Sequence, residues 1–285
     1  MQVIIISGLS GAGKSTALKV LEDSGYICID NVPSSLIKQI IEINSTYKQS
    51  KIAISIDSRS YFDISSVSQT IDEIKQTVQL KVIFLESRDD VIIKRFSETR
   101  RRHPLSRADN TIIDCINQER ELLSEISNLA QRIDTSDLTN ATLKQYIRDI
   151  ADGDTNKLNI IIQSFGFKYG TPTDSDYMFD VRCLPNPYYI AEIKEYNGTQ
   201  APIIEYLEKQ PLVQEMIEDI SGFISRWIPR FIDNHRSYLT IAIGCTGGHH
   251  RSVYITEYLR KNLSNSDYNI IVRHRELDKK KTNNR

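Results

Sequence analysis

The sequence predicts an α/β protein of two domains, and three observations lead to this prediction. Short apolar runs such as "VIIIS" (3–7) alternate with amphipathic helical segments, the pattern of a parallel sheet covered on both faces. The same alternation restarts at "LNIIIQSFGF" (158–167), after the polar stretch "DGDTNK" (152–157). At 285 residues, the chain is also longer than one typical domain. We therefore expect one domain at 1–152 and a second α/β domain at 158–285.

The elements of the first domain follow from residue periodicity. Its predicted strands are short and rich in β-branched residues, at 3–7, 26–30, 51–57, 81–86 and "RIDTS" (132–136). Its predicted helices have apolar residues three and four apart, at 14–24, 33–43, 64–80, 89–101, 111–130 and 139–151. Gly25 follows the first helix as a natural C-terminal cap, and Pro33 starts the second.

The second domain shows fewer regular segments and more loops. Predicted strands cover 158–167, 177–182, 238–244 and 268–274. Predicted helices cover roughly 211–234 and 251–263. The Gly/Pro-rich stretches "KYGTPTDSD" and "RCLPNPYY" are predicted loops on either side of the second strand.

Composition narrows the class of protein. Apolar residues make up 40% of the chain, charged residues 26%, and the formal net charge is −1, so a protein-wide basic surface for nucleic acid is excluded. The four cysteines are scattered without a CxxC pair, which favours reduced thiols over a disulfide framework or zinc site. The N-terminus lacks a basic region before its apolar run, and no segment is long and apolar enough to span a membrane. We expect a cytoplasmic protein.

The stretch "GLSGAGKST" matches the P-loop pattern G-x-x-x-x-G-K-[ST] between a predicted strand and a predicted helix. Glycines let backbone N–H groups surround the phosphates, Lys14 reaches the β- and γ-phosphates, and the Ser15 hydroxyl binds Mg²⁺. The predicted nucleotide-binding residues of the motif are Gly8, Leu9, Ser10, Gly11, Ala12, Gly13, Lys14, Ser15 and Thr16.

A carboxylate at a strand end should help to hold Mg²⁺ with Ser15. Asp57, after "IAISI", fits best and is taken as catalytic with Lys14 and Ser15, while Asp30 is its rival. Either acid could instead cap a helix or stabilise a turn. The base stays open between ATP and GTP, because "NKLN" (156–159) fails the guanine-specific N-K-x-D pattern.

The segment "SETRRRHPLSR" (97–107) predicts a mobile basic lid of the kind that P-loop kinases close over the transferring phosphoryl group. The alternative is a solvated helix C-terminus favoured by the helix dipole. The lid candidates are Arg100, Arg101, Arg102 and Arg107.

The stretch "GCTGGHHRS" (244–252) predicts an anion-binding loop between a strand and a helix. Its spacing also resembles a cysteine phosphatase, although glycine stands at 244 where those enzymes usually carry histidine. A tight turn around a buried cysteine is the third interpretation. The candidate anion-binding residues are Cys245, Thr246, Gly247, Gly248, His250, Arg251 and Ser252.

The C-terminus is locally basic, with six Lys/Arg against two acids over 273–285. Such a patch can bind RNA phosphates in a salt-sensitive way, and solvated disorder is the alternative. The RNA-binding candidates are Arg273, Arg275, Lys279, Lys280 and Lys281.

Over nearly its whole length, the chain resembles the bacterial YvcJ/RapZ family of P-loop nucleotide-binding proteins, whose enterobacterial member is the RNase adapter protein. The matching stretches are "GLSGAGKST", "ICIDNVPSSL", "ETRRRHPL", "FDVRCLPNPYY", "IGCTGGHHRSV" and "VRHREL". The resemblance implies a P-loop kinase-like N-terminal domain with weak ATPase and GTPase activity. It also implies a second nucleotide-contacting stretch, Asp57, Ser58, Arg59 and Ser60.

For the second domain, the resemblance implies a sensor of a phosphorylated metabolite. In the enterobacterial branch this domain binds an amino-sugar phosphate and small RNAs, and its pocket matches Thr246, Gly247, His250 and Arg251 here. The chain departs from that branch at Tyr188, where the enterobacterial pattern has histidine, and in its longer C-terminus. We include Tyr188 in the candidate metabolite site.

Together these observations predict a regulatory protein that binds ATP or GTP with Mg²⁺ and hydrolyses it weakly. Its second domain would bind a phosphorylated metabolite and, as further partners, RNA and a protein. A small-molecule kinase and an RNA-binding RNase adapter, with nucleotide as conformational effector, are the alternatives. We expect a homo-oligomer.

Overall fold

The structure is a computed structural model, and it describes residues 1–47, 49–59, 67–107, 109–153, 157–233, 238–263 and 268–277. The chain divides into two compact units, Met1–Thr155 and Asn156–Arg285. Among the helices in these ranges, none is long and apolar enough to cross a membrane.

The first unit is built on a parallel sheet. Its strands are β1 (Gln2–Gly8), β2 (Ile27–Ile29), β3 (Lys51–Ser55), β4 (Gln79–Glu86) and β5 (Gln131–Asp134). They lie in the order β2-β3-β1-β4-β5, and each pairs with its neighbours in parallel. Because parallel strands share a carboxyl edge, the segments after β1, β3 and β4 meet on one side of the sheet.

Helices cover this sheet as the alternating pattern predicts. They are α1 (Lys14–Asp23), α2 (Ile37–Thr46), α3 (Val67–Lys75), α4 (Asp89–Thr99), α5 (Ile112–Leu122), α6 (Ser124–Leu129) and α7 (Asn140–Asp152). Gly25 has φ 82°, as expected of the residue that ends α1. A short 3₁₀ turn, Ser34–Leu36, precedes α2.

Two predicted helices of this unit differ from the structure. The helix predicted at 64–80 is described over Val67–Lys75 and gives way to β4 at Gln79, while 64–66 lie outside the described residues. The single helix predicted at 111–130 is two helices, α5 and α6, separated at Leu123, whose ψ of 6° departs from helical geometry. Leu123 is fully buried, so packing of its side chain accompanies the break.

The start of α5 is fixed by a capping box. Thr111 Oγ1 accepts a hydrogen bond from Asp114 N (3.2 Å), and Asp114 accepts one from Thr111 N (3.0 Å). The bond from the Thr111 hydroxyl to the Asp114 carboxylate, and then the bond from Thr111 N, lower the pKa of Asp114. The register that they set places Cys115, Ile116 and Glu119 on the buried face of α5.

The second unit is also α/β with parallel strands, so the predicted fold class is confirmed. Its strands are β6 (Leu158–Gly166), β7 (Tyr177–Asp180), β8 (Tyr238–Cys245) and β9 (Tyr268–His274), in the order β7-β8-β6-β9. Its helices are α8 (Ala201–Glu208), α9 (Pro211–Asp233) and α10 (Arg251–Asn262). The sequence prediction missed α8, a short helix that buries Ile203 and Leu207.

Candidate functional site

The P-loop leaves β1 at Gly8 and enters α1 at Lys14, as the motif predicts. Gly8 has φ 144°, and a side chain there would lie 2.2 Å from the carbonyl oxygen of Leu85, so only glycine fits. The first N–H groups of α1 have no partner within the helix and carry its positive dipole end. This loop can therefore hold the phosphates of an anionic ligand.

Lys14 is half-buried, and its Nζ donates a hydrogen bond to the Gly8 carbonyl oxygen (2.6 Å). Burial lowers the pKa of Lys14, while the nearby carboxylates of Glu119 and Asp57 oppose this effect. The ammonium group thus lies inside the loop, within the electrostatic influence of two carboxylates. Ser15 and Thr16 line the same cleft.

Asp57 lies two residues beyond β3 and is only 3% exposed. Arg59 donates from Nε to both Asp57 carboxylate oxygens (3.1 and 2.9 Å) and from Nη2 to Oδ2 (2.6 Å). Asp30, the rival acid, is more exposed and lies 4.0 Å from Arg59. Both acids line the cleft beside the P-loop, so the choice between them for Mg²⁺ stays a prediction.

Ser58 lies between Asp57 and Arg59 in the sequence, but its side chain does not take part in their ion pair. The Ser58 hydroxyl donates to Oε1 of Glu119 (2.7 Å), a fully buried carboxylate on α5. Glu119 also accepts from Ser10 of the P-loop. The fourth residue of the predicted stretch, Ser60, lies outside the described residues.

Residues 10–16 of the P-loop, Asp57 and Arg59 line a cleft of about 770 Å³. The lid residues Arg101 and Arg102 line it, whereas Arg100 caps the end of α4 in a left-handed conformation (φ 53°). Arg107 is exposed and is not among the cleft-lining residues. The structure thus brings two of the four lid candidates to the cleft.

Sequence reasoning missed Arg95, which supports the P-loop from α4. Its guanidinium donates to the carbonyl oxygens of Gly11 (2.9 Å) and Thr135 (2.7 Å). The Thr135 hydroxyl donates to the carbonyl oxygen of Ala12 (3.0 Å), so the segment after β5 holds the same loop. The cleft continues along this segment past Leu138, and a base could pack there. Single arginines and threonines carry no motif, so no sequence signal marked them.

The loop after β8 folds around Cys245, which is 2% exposed. Cys245 Sγ accepts a hydrogen bond from Gly248 N (3.2 Å) and lies 3.1 Å from the Ser252 hydroxyl. Gly248 has φ 68°, and a side chain there would come within 2.4 Å of a Glu276 carboxylate oxygen. This geometry favours a buried structural thiol over a nucleophile, because a nucleophile must reach its substrate.

Arg251 begins α10 but points inward and is 3% exposed. Its Nη1 donates to the carbonyl oxygens of Arg182 (2.9 Å) and Leu184 (2.8 Å), and its Nη2 to the Thr246 hydroxyl (3.3 Å). Its Nε is buried without a partner among the described residues. The sequence predicted a free guanidinium fork for phosphate; this one instead ties the loop after β7 to the loop after β8.

The rest of the candidate anion site is more open. Thr246 is exposed, Gly247 is half-buried, and His250 directs Nε2 at the carbonyl oxygen of Lys194 (3.0 Å). Tyr188 is 62% exposed and packs edge-on against Tyr189. The described contacts do not join Tyr188 to the Thr246 loop, so its place in the site stays a prediction.

Two of the RNA-binding candidates, Arg273 and Arg275, are less exposed than the sequence predicts. Arg273 is 4% exposed on β9. Arg275 is nearly as buried and donates to Glu276 (2.8 Å) and to the carbonyl oxygens of Gly166 (3.1 Å) and Gly170 (2.6 Å). A role in RNA binding stays a prediction for both residues. Lys279, Lys280 and Lys281 lie outside the described residues.

A parallel sheet with a P-loop after its first strand, joined to a second parallel α/β unit, defines a two-domain P-loop protein. A model of the RapZ-like N-terminal domain matches residues 1–155, and one of the RapZ C-terminal domain matches 158–278. The chain belongs to the RapZ family.

Curated relatives match the chain from end to end. It is 50% identical to a nucleotide-binding protein from Laribacter hongkongensis, over 98% of this chain and 100% of that one. It is 47% identical to a nucleotide-binding protein from Pseudomonas putida, over 97% and 100% of the two chains. Among solved structures, it is similar to shikimate kinase from Bacteroides thetaiotaomicron: 17% identity, TM-score 0.36, over 53% of this chain and 96% of that one.

Proposed function

We propose that the N-terminal unit binds ATP or GTP with Mg²⁺ and hydrolyses it slowly. The observation that carries this proposal is the cleft of about 770 Å³ formed by the P-loop, Lys14 and two lid arginines. The names of the relatives, which are nucleotide-binding proteins, support it. Slow turnover is consistent with Asp57, whose carboxylate is engaged by Arg59 in this structure.

The residues present fit a magnesium ion that arrives with the nucleotide. Among the described residues, no group of three or more His, Cys, Asp and Glu could hold a metal by itself. Mg²⁺ commonly uses one or two carboxylates, phosphate oxygens and water, so Ser15 with Asp57 or Asp30 is an adequate donor set. When bound, the ion would neutralise charge on the β- and γ-phosphates.

A thermal-shift titration tests this proposal directly. A ligand at 100 times its Kd stabilises the folded state by about 2.7 kcal/mol. We expect Mg²⁺ with ATP or GTP to raise the melting temperature of the full chain, and the nucleosides, which lack phosphates, to have no effect. No shift with either triphosphate at millimolar concentration would contradict nucleotide binding.

For the C-terminal unit, we propose that the loop 244–252 binds a phosphorylated metabolite. We also propose that the chain is a regulatory protein of the cytoplasm, which responds to this metabolite. The exposed Thr246 hydroxyl and the backbone of the loop before α10 supply donors for an anion. The buried Arg251 Nε finds no partner in the part of the chain that the structure describes, which leaves one further donor that a ligand or water could satisfy. A thermal-shift screen of sugar phosphates against their unphosphorylated sugars tests this binding.

RNA binding is the second candidate function, and it now depends on the tail. Changing Lys279, Lys280 and Lys281 to alanine should flatten the slope of log affinity against log salt by roughly 2–3 units, if each contacts an RNA phosphate. The triple Lys→Arg variant keeps the charge and serves as the control, with an unchanged slope expected. If the alanine variant has the same slope as the wild type, these lysines do not contact RNA phosphates.

A further inference from the structure

Glu119 is the most deeply buried charged group at the phosphate site, and none of the predicted motifs includes it. Its side chain has no exposure to solvent. Oε2 accepts from Ser10 N (2.7 Å), and Oε1 accepts from the Ser10 hydroxyl and the Ser58 hydroxyl (both 2.7 Å). One carboxylate on α5 therefore holds the P-loop and the segment after β3.

The fourth donor to Glu119 comes from His103, which belongs to the lid segment (residues 100–107). His103 Nε2 lies 3.1 Å from Glu119 Oε2, and His103 Nδ1 accepts a hydrogen bond from Leu105 N (3.2 Å). Because Nδ1 accepts, the ring proton lies on Nε2 and is donated to Glu119. His103 also packs its ring against Phe96 of α4, with 5.3 Å between centroids.

The electrostatics of the site agree with an ionised Glu119. Burial alone would raise the pKa of Glu119, but the His103 bond, the Lys14 charge and the Ser10 and Ser58 bonds hold it at about 2. In turn, the Glu119 charge favours the protonated form of Lys14, which burial opposes. All four donors of the network point at this carboxylate, so no other group in it can replace the acceptor.

The bond between His103 and Glu119 also determines where the neighbouring lid arginines lie. Arg101 and Arg102 immediately precede His103 and line the cleft, while His103 itself is buried at 5% exposure. Because two hydrogen bonds hold His103 in place, the charges of the adjacent Arg101 and Arg102 stay close to the P-loop.

We propose that Glu119 is a positioning residue that ties the lid segment to the P-loop through His103 and Ser10, so that Arg101 and Arg102 act on the γ-phosphate. This inference rests on the proposed nucleotide binding. It predicts that the bond from His103 to Glu119 and the bonds from Ser10 to Glu119 have separable effects on nucleotide affinity. The His103 bond should matter for triphosphates alone, and the Ser10 bonds should matter for all nucleotides that the P-loop holds.

The test uses the full chain and compares the Kd of an imido-bridged triphosphate analogue with that of the matching diphosphate, both with Mg²⁺. His103→Phe keeps the ring packing but loses both hydrogen bonds. It should weaken the triphosphate analogue on the order of ten-fold, from loss of one charge-assisted contact, and the diphosphate by less than about two-fold. His103→Gln keeps an N–H for Glu119 and should restore most of the ratio.

Two changes at Glu119 complete the test. Glu119→Ala removes the shared acceptor and should weaken both nucleotides on the order of ten-fold. Glu119→Gln keeps an acceptor for Ser10 N and His103 but removes the charge that favours protonated Lys14, so it should weaken both nucleotides, by less than Glu119→Ala does. Glu121→Ala, on the exposed face of α5, is the matched control and should change neither Kd.

The outcomes separate this inference from the proposed function. If His103→Phe weakens both nucleotides equally, or neither, the lid is not positioned by this contact and the inference is wrong while nucleotide binding stands. If the wild-type chain binds neither nucleotide, the proposed function itself fails. Because the His103 variants do not depend on Glu119→Ala folding, the comparison holds even if that variant is unstable.

Discussion

Replacing Lys14 with alanine should lower the rate of phosphate release from ATP and GTP by roughly 100-fold or more. Removing a single preorganised group that stabilises charge in a transition state commonly has an effect of this size. In the structure, the Lys14 ammonium lies inside the P-loop on the Gly8 carbonyl oxygen, in position to move onto a β- or γ-phosphate. No other lysine or arginine of the P-loop stretch 8–16 can replace it.

The fold should survive this change. Burial lowers the pKa of Lys14, which means that its surroundings in the protein destabilise the charged form. Alanine removes that cost and leaves α1 with a good helix former. Lys19→Ala, on the exposed face of the same helix, is the control and should hydrolyse as the wild type does. Wild-type hydrolysis by a folded Lys14→Ala variant would show that the P-loop is not the site of turnover.

Local patterns were sufficient to predict both sheets. Strands β1 and β6 are buried on both faces, and each has a run of three or more consecutive β-branched apolar residues, "VIII" in β1 and "III" in β6. The break at Leu123 has no such signature, because apolar spacing continues across it from α5 into α6. The helix α8 has only eight residues, too short for periodicity to stand out from the loops before it.

The candidate site was predictable only where its residues are contiguous. The P-loop is a run of nine consecutive residues whose glycines, lysine and serine are dictated by phosphate geometry, and the structure places residues 10–16 at the cleft. Glu119 is 109 residues from Ser10, 61 from Ser58 and 16 from His103, so the network forms only when the chain folds. In sequence, Glu119 is one acid among several in "NQERELLSE".

In the second unit, the sequence analysis predicted a site at arginines that the structure places largely in the interior. Arginine is assumed to be exposed because burying its charge is costly, and the sequence gives no sign of compensation. In the structure, backbone carbonyl oxygens provide it: those of Arg182 and Leu184 accept from Arg251, and those of Gly166 and Gly170 accept from Arg275. These acceptors lie in loops that are distant in sequence from the arginines that use them.

Arg251→Ala should weaken binding of a sugar phosphate at the second unit on the order of 10- to 100-fold. The reason is the loss of one charge-assisted contact to the phosphate, or the loss of the bonds by which Arg251 holds the loop that binds it. Since the Leu184 carbonyl is buried, the same change should lower the free energy of unfolding by about 1–3 kcal/mol. Arg260→Ala, on the exposed face of α10, is the control and should alter neither quantity. Full affinity in the Arg251→Ala variant would remove Arg251 from the site.

Cys245→Ser distinguishes an anion-binding loop from a phosphatase. A serine oxygen can accept the Gly248 N–H that the thiol accepts at 3.2 Å, so the loop and its sugar-phosphate affinity should stay nearly intact. A cysteine phosphatase would behave in the opposite way, because its thiolate attacks phosphorus and serine cannot replace it. Nitrophenyl phosphate hydrolysis by the wild type, abolished in Cys245→Ser, would therefore overturn the binding role. Cys245 is 2% exposed and already accepts an N–H, so we expect neither the wild type nor Cys245→Ser to release nitrophenol from nitrophenyl phosphate.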